Sequence, residues 1–249
     1  LSEAAGTLVG MDITQFVEAL RLDGGLLADA AEQAGPDAPV PSCPEWRIRD
    51  LVTHVGRVHR WATECVTRPA DEPAEFPAAP DLTDRERVSW LREGHHRLVV
   101  ALHTAPPDLK TWTFLSAPSP LAFWARRQAH ETSVHRVDAQ QAAGTALTPL
   151  PASFAADGID ERLAMFRSQD RCRIQADVPR TLRVRATDAA DADRTVDLFA
   201  QEPGAGVDCT VEGPAEQLYL ALWNRLPWDG LTVTGDAAVL DLWRQQTAD

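Results

Sequence analysis

His130-Glu131-Thr132-Ser133-Val134-His135-Arg136-Val137-Asp138-Ala139 is the stretch on which the reading of this chain turns. Glu131 and His135 stand four residues apart, and on a helix such residues lie one above the other on a single face. A carboxylate and an imidazole placed that way can both reach one divalent cation. The helix around them departs from ordinary patterning. At about 100° per residue, Trp124, Gln128, Glu131, His135 and Asp138 share a stripe about 80° wide. An amphipathic helix fills such a stripe with Leu and Val or with solvated charge. Here one large aromatic precedes four side chains that can ligate a metal or hydrogen-bond. A solvent-exposed Glu–His pair has the same spacing, so the stripe is a site only if it points inward.

The rest of the N-terminal half reads as three more helices. Asp12 to about Ala34 is apolar at Ile13, Phe16, Val17, Leu20, Leu26 and Leu27, with Asp12 as N-cap and Gly24-Gly25 weakening its middle enough to allow a break. A second helix runs from about Arg47 to Thr67, with Ile48, Leu51, Val52, Val55 and Ala62 at helical spacing. A Pro-rich, acidic loop follows from Arg68 to Pro80. Thr83-x-x-Glu86 is a capping box and opens the third helix, which ends near Thr104 before Pro106-Pro107. The fourth, from about Pro120 to Ala142, carries the stripe.

Beyond Gly144 and Pro149 to Pro151 the pattern changes. A short helix is expected from Ala152 to Arg167. Thr181 to Thr187 alternates with period two, and Arg194 to Ala200, Gly206 to Val211 and Leu231 to Thr234 also read as strands. Pro214 to Leu226 reads as a helix, and Asp236 caps a last one ending near Gln246. The expected architecture is a four-helix bundle over 11–146 followed by a smaller α/β (α+β) unit over 151–249.

Composition narrows the function. The chain has 249 residues, 44 % of them hydrophobic, enough to bury a core. Its formal charge of −13 argues against a nucleic-acid-binding body, which needs a basic face. Lys110 is the single lysine, and this preference for Arg, with abundant Ala, Asp and Pro, resembles the output of a high-GC bacterial genome. Cys43, Cys65, Cys172 and Cys209 form no C-x-x-C pair and read as reduced thiols of a cytoplasmic protein. No apolar run approaches the ~20 residues of a membrane span, and no membrane partner is expected. Residues 1–10 precede Met11 and stand outside the fold argument.

A cation held by Glu131 and His135 needs a third ligand. Among the seven histidines, His54, His59, His95, His96, His103 and His130 are candidates. His130 points about 100° away from Glu131. His95 and His96 lie among Arg92, Glu93 and Arg97, in a setting that reads as solvated. His54 sits on the flank of an apolar helix and shares its face with Leu51, Val58 and Trp61. Two imidazoles and a carboxylate are a common ligand set for zinc or another first-row divalent ion, with positions left open. Asp138, one turn past His135, can orient a ligand or take a proton, or simply pair with Arg136 or another Arg.

Val40-Pro-Ser-Cys-Pro-Glu-Trp-Arg-Ile-Arg-Asp-Leu-Val-Thr-His54-Val-Gly-Arg-Val-His-Arg-Trp61 together with His130 to Ala139 resembles the mycothiol-dependent maleylpyruvate isomerase family, within the DinB-like helical metalloproteins. Glu212 to Arg225 and Val233-Thr-Gly-Asp236 resemble that family's sterol-carrier-like C-terminal domain. The resemblance implies a zinc-type site, nickel or iron being the alternatives, with His54, Glu131 and His135 as ligands. It also implies critical roles for Asp138 and Arg225, the latter as a clamp on a carboxylate of substrate or of mycothiol. Without it, Arg225 reads as a surface arginine at a helix C-terminus. One position departs from the pattern: Arg47 stands where the family often has a capping Ser or Thr, a loss of about 1 kcal/mol of capping.

The activity so implied is cis–trans isomerisation. A mycothiol thiolate adds to the double bond of maleylpyruvate, the new single bond rotates, and elimination gives fumarylpyruvate. A mycothiol S-transferase acting on an electrophilic or unsaturated acid is the close variant. A non-catalytic metal- or ligand-binding protein, and a carrier of apolar ligands built on the C-terminal unit, are the other two classes. Oligomeric state is open.

Overall fold

The computed structural model describes residues 11–168, 180–189, 192–198 and 206–247. Cys172, residues 1–10 and the last two positions of the strand expected over 194–200 lie outside the described residues.

Four long helices form the N-terminal half: α1 (Ile13–Ala34), α2 (Ile48–Thr67), α3 (Asp84–Thr104) and α4 (Pro120–Ala143). Their starts are written locally. Asp12 Oδ1 accepts from the Gln15 amide at 2.8 Å, and Gln15 Oε1 accepts from the Asp12 amide at 2.9 Å. At α2 the Arg47 side chain offers no acceptor, but half of the box survives, because Asp50 Oδ2 takes the Arg47 amide at 2.9 Å. At α3 the Glu86 carboxylate accepts from the Thr83 amide at 2.9 Å and from the Thr83 hydroxyl at 2.6 Å, again half of the box. Ser119 Oγ caps α4 at 3.1 Å with Pro120 in its first turn, and Gly144 ends it in the left-handed conformation (φ 65°).

The break that Gly24-Gly25 would allow does not occur; α1 is continuous. Gly24 serves close approach instead. A Cβ there would lie 2.3 Å from the His95 ring, whose Nε2 pairs with the Leu20 carbonyl oxygen at 3.0 Å. His95 is therefore half-buried between α1 and α3, against the solvated setting expected of it, while His96 is exposed.

α4 is the central helix, and it is buried all round. Trp124 packs edge-on against Trp61, and its Nε1 donates to the Trp112 carbonyl at 3.1 Å. The polar residues of α4 pair across to neighbours: Thr132 with His59 at 2.9 Å, Arg136 with Asp23 at 3.1 Å, and Ser133 with Asp23. These partners let a helix with polar groups on every face sit in the interior.

The second half comprises α5 (Ala152–Ser168), β1 (Thr181–Ala186), β2 (Asp193–Asp197), β3 (Cys209–Gly213), α6 (Ala215–Leu222), β4 (Thr232–Gly235) and α7 (Ala238–Gln246). The sheet order is β2-β1-β3-β4, with β1 and β3 parallel and both outer pairings antiparallel. The helix expected to reach Leu226 stops at Leu222, and the chain turns at Asn224 (φ 59°). That turn aims Arg225 back at the bundle. Asp236 Oδ1 accepts from the Ala238 amide at 3.1 Å and so caps α7. One apolar core joins both halves, from Phe16 and Trp124 through Phe154 to Leu182, Val211 and Trp243.

Candidate metal centre

α2 and α4 bring His54, Glu131 and His135 together. One donor atom from each lies within 4.8 Å of the others. Glu131 Oε1 is the hub, 3.2 Å from His54 Nε2 and 3.3 Å from His135 Nε2. The imidazoles meet edge to face, with centroids 5.1 Å apart. Trp46, in the turn before α2, lies over both rings at 4.9 and 6.1 Å. Side-chain exposure falls from 33 % at His54 to 9 % at His135, so the centre opens on the His54 side.

Behind His135 stands a second layer. Asp138 Oδ2 lies 2.8 Å from His135 Nδ1. Arg225 holds both oxygens of the same carboxylate, with Nε donating to Oδ1 at 2.9 Å and Nη2 to Oδ2 at 3.0 Å. Ser42 Oγ donates to Oδ1 at 2.5 Å. Arg225 also gives Nη1 to the Trp223 carbonyl at 2.7 Å and approaches Cys43 Sγ at 3.7 Å. Asp138 thus pairs with Arg225 and not with Arg136. Arg225 is buried, which corrects its reading as a surface residue.

The electrostatics favour a positive charge at the hub. Burial pushes the Glu131 carboxyl up, but hydrogen bonds from His135 and His54 and the charge of Arg127 outweigh it and hold it well below the carboxylate range. Burial lowers His135, yet Asp138 and Glu131, one at each nitrogen, raise it to about 9. Asp138, raised by burial, is brought down to about 2 by His135 and Arg225. In the absence of a cation the hub therefore holds a proton on His135 Nε2. With Nδ1–H committed to Asp138, loss of that proton leaves an Nε2 lone pair beside Oε1 and His54. Two imidazole nitrogens and a carboxylate oxygen suit a first-row divalent ion, and the residues present fit one.

Among the other histidines, His130 points away as its position on the helix requires, bonding Asp157 Oδ1 at 2.8 Å and the Tyr219 hydroxyl at 3.2 Å. Trp46, Ser42, Cys43 and Arg127 also border the centre, none of them a candidate from the sequence. Arg127 Nη2 donates to Glu131 Oε2 at 2.6 Å. Its i,i+4 spacing to Glu131 was the available signal.

Two family models match the chain: the mycothiol maleylpyruvate isomerase N-terminal domain over residues 17–140, and the MDMPI C-terminal domain over 153–242. No curated protein matches it in sequence. Crystal structures of the mycothiol-dependent maleylpyruvate isomerase share the fold. A histidine-to-alanine mutant of that enzyme aligns with TM-score 0.64 at 15 % identity, over 90 % of this chain and 93 % of that one. The structure without that mutation aligns with TM-score 0.62 at the same identity and coverage. No described helix is long and apolar enough to cross a membrane.

Proposed function

The chain belongs to the mycothiol maleylpyruvate isomerase family, and from that premise we propose that it is a metal-dependent, mycothiol-using enzyme that isomerises a small cis-unsaturated acid of the maleylpyruvate type. A related mycothiol S-transferase is the variant of the same chemistry. The observation that carries this is the convergence of His54, Glu131 and His135 on one point, backed by Asp138. These three are the proposed metal ligands and zinc the proposed ion. When bound, the cation stabilises thiolate over thiol, which makes a sulfur nucleophile available at neutral pH.

The protein's own groups prepare that chemistry. Asp138 keeps the proton on His135 Nδ1 and so turns Nε2 toward the hub. Arg225 and Ser42 hold Asp138 ionised and in register. In this arrangement Arg225 acts through Asp138, and any grip on a substrate or cofactor carboxylate would be shared with that bond. Next to it opens a cleft of about 350 Å³ lined by Ser42, Gln141, Asn224, Arg225, Trp228 and Arg244. The Ser42, Gln141, Asn224, Arg225 and Arg244 side chains along its partly apolar wall suit the body of a hydrophilic thiol or an acid substrate. Trp46 shields the imidazoles from water on one side. Cys43, Cys65 and Cys209 are buried, and a cytoplasmic, reducing setting is the proposed compartment.

The test is turnover of maleylpyruvate and of generic electrophiles with and without mycothiol. Mycothiol-dependent isomerisation supports the reading. Transfer of the thiol to electrophiles without isomerisation supports the variant, and no thiol dependence with either substrate class contradicts both. Among the described residues of the C-terminal unit, Leu182, Val184, Val211, Leu222 and Trp243 are buried in the core, which favours the enzyme over an apolar carrier.

A further inference from the structure

The two oxygens of Glu131 have separate partners. Oε1 faces His54 and His135, whereas Oε2 receives Arg127 Nη2 at 2.6 Å. Arg127 comes from one turn earlier on α4 and is itself fixed. Its Nη1 donates to Glu161 Oε2 on α5, and its guanidinium carbon lies 5.6 Å from the Trp223 ring centre. The Arg127 and Glu161 side chains are 4 % and 2 % exposed. Their charges cancel, so the pair adds no net charge beside the ligand set. What it adds is orientation.

A carboxylate free to rotate can offer a dication both oxygens and occupy two positions around it. With Oε2 tied to a buried guanidinium, such rotation must break a charge-assisted hydrogen bond in an interior of low dielectric. We infer that Arg127, anchored by Glu161, is a positioning residue of the centre: it withholds Glu131 Oε2, so that the cation meets one carboxylate oxygen and keeps a position for the thiol. The inference rests on the metal reading above and adds the denticity of its carboxylate. It also makes α5, which supplies no ligand, part of the centre.

Cobalt(II) is the probe. The metal-stripped full chain is titrated as wild type, as Arg127→Met/Glu161→Gln, and as Arg127→Lys. The double variant keeps the net charge and removes the anchor without stranding a lone buried carboxylate. Circular dichroism and melting check that it folds, and Arg127→Gln replaces it if it does not. The expected result is cobalt binding about 10- to 100-fold weaker, with fainter d–d bands as a second carboxylate oxygen raises the coordination number. Arg127→Lys, which keeps a cationic donor, is expected to restore the bands. A purely structural ion pair would move the melting temperature alone. A folded variant lacking the guanidinium, with wild-type affinity and bands, would therefore overturn this inference and leave the metal reading intact. Wild-type protein that takes up no cobalt, or loads equally with His54→Ala, would overturn both.

Discussion

Asp138 concentrates more of the site's physics than any ligand does. One buried carboxylate accepts from His135, from Ser42 and, through both oxygens, from Arg225. Asp138→Asn keeps the shape and removes the charge that faces the buried Arg225 guanidinium. Breaking a buried pair in this way costs about 3–5 kcal/mol of stability. Loss of the ligand-orienting bond should weaken metal binding about 10- to 100-fold. Chelator competition and chemical unfolding measure the two effects, and an Asn variant with wild-type metal affinity would remove Asp138 from the centre. His135 carries a pH signature as well. Its value rises from 6.5 to about 9 on folding without metal. That shift stabilises the metal-free fold fully below about pH 6.5, and the contribution is lost as pH rises through about 9. At pH 7 a cation must displace the proton. Uptake should release about one proton per cation, and apparent affinity should climb about tenfold per pH unit toward pH 9. Calorimetry in buffers of different ionisation heat reads the proton count, and uptake with no release contradicts the assignment.

At the scale of elements, α4 separates what its sequence could say from what it could not. Glu131, His135 and Asp138 were legible because a helix fixes their relative directions. The burial of the entire helix was not. Arg127, Ser133 and Arg136 resemble a solvated face until Glu161 and Asp23 come into contact from distant segments. Hydrophobic periodicity carries no information about partners that satisfy a polar group from another element. α1 failed in the opposite direction. Gly24-Gly25 reads as a break on propensity alone, yet packing against His95 overrides a penalty of about 1 kcal/mol per glycine. Gly24→Ala should accordingly destabilise the protein by about 1–3 kcal/mol, where helix propensity alone predicts a gain. Urea unfolding decides the sign, and a more stable Ala variant would show that His95 moves aside at little cost.

In the molecule as a whole, the proposed metal ligands come from the helical half and the arginine behind them from the other. Arg225 reaches Asp138 across 87 positions of sequence because the chain turns at Asn224 and one apolar core joins the halves. The sequence alone supports Arg225 as a surface residue, and only the resemblance marked it as critical. The contact that buries it is non-local and leaves no trace in spacing. The −13 charge of the chain coexists with buried arginines at 127, 136 and 225, each committed to carboxylates. Among the described residues these buried charges are paired, and His54, Glu131 and His135 form a cluster that could hold a cation. The most direct measurement is metal content by mass spectrometry of wild-type and His54→Ala protein, purified without chelators. About one divalent ion per wild-type chain, absent from the folded His54→Ala variant, is the predicted result. A metal-free wild type, or a variant as fully loaded as its parent, would contradict the account.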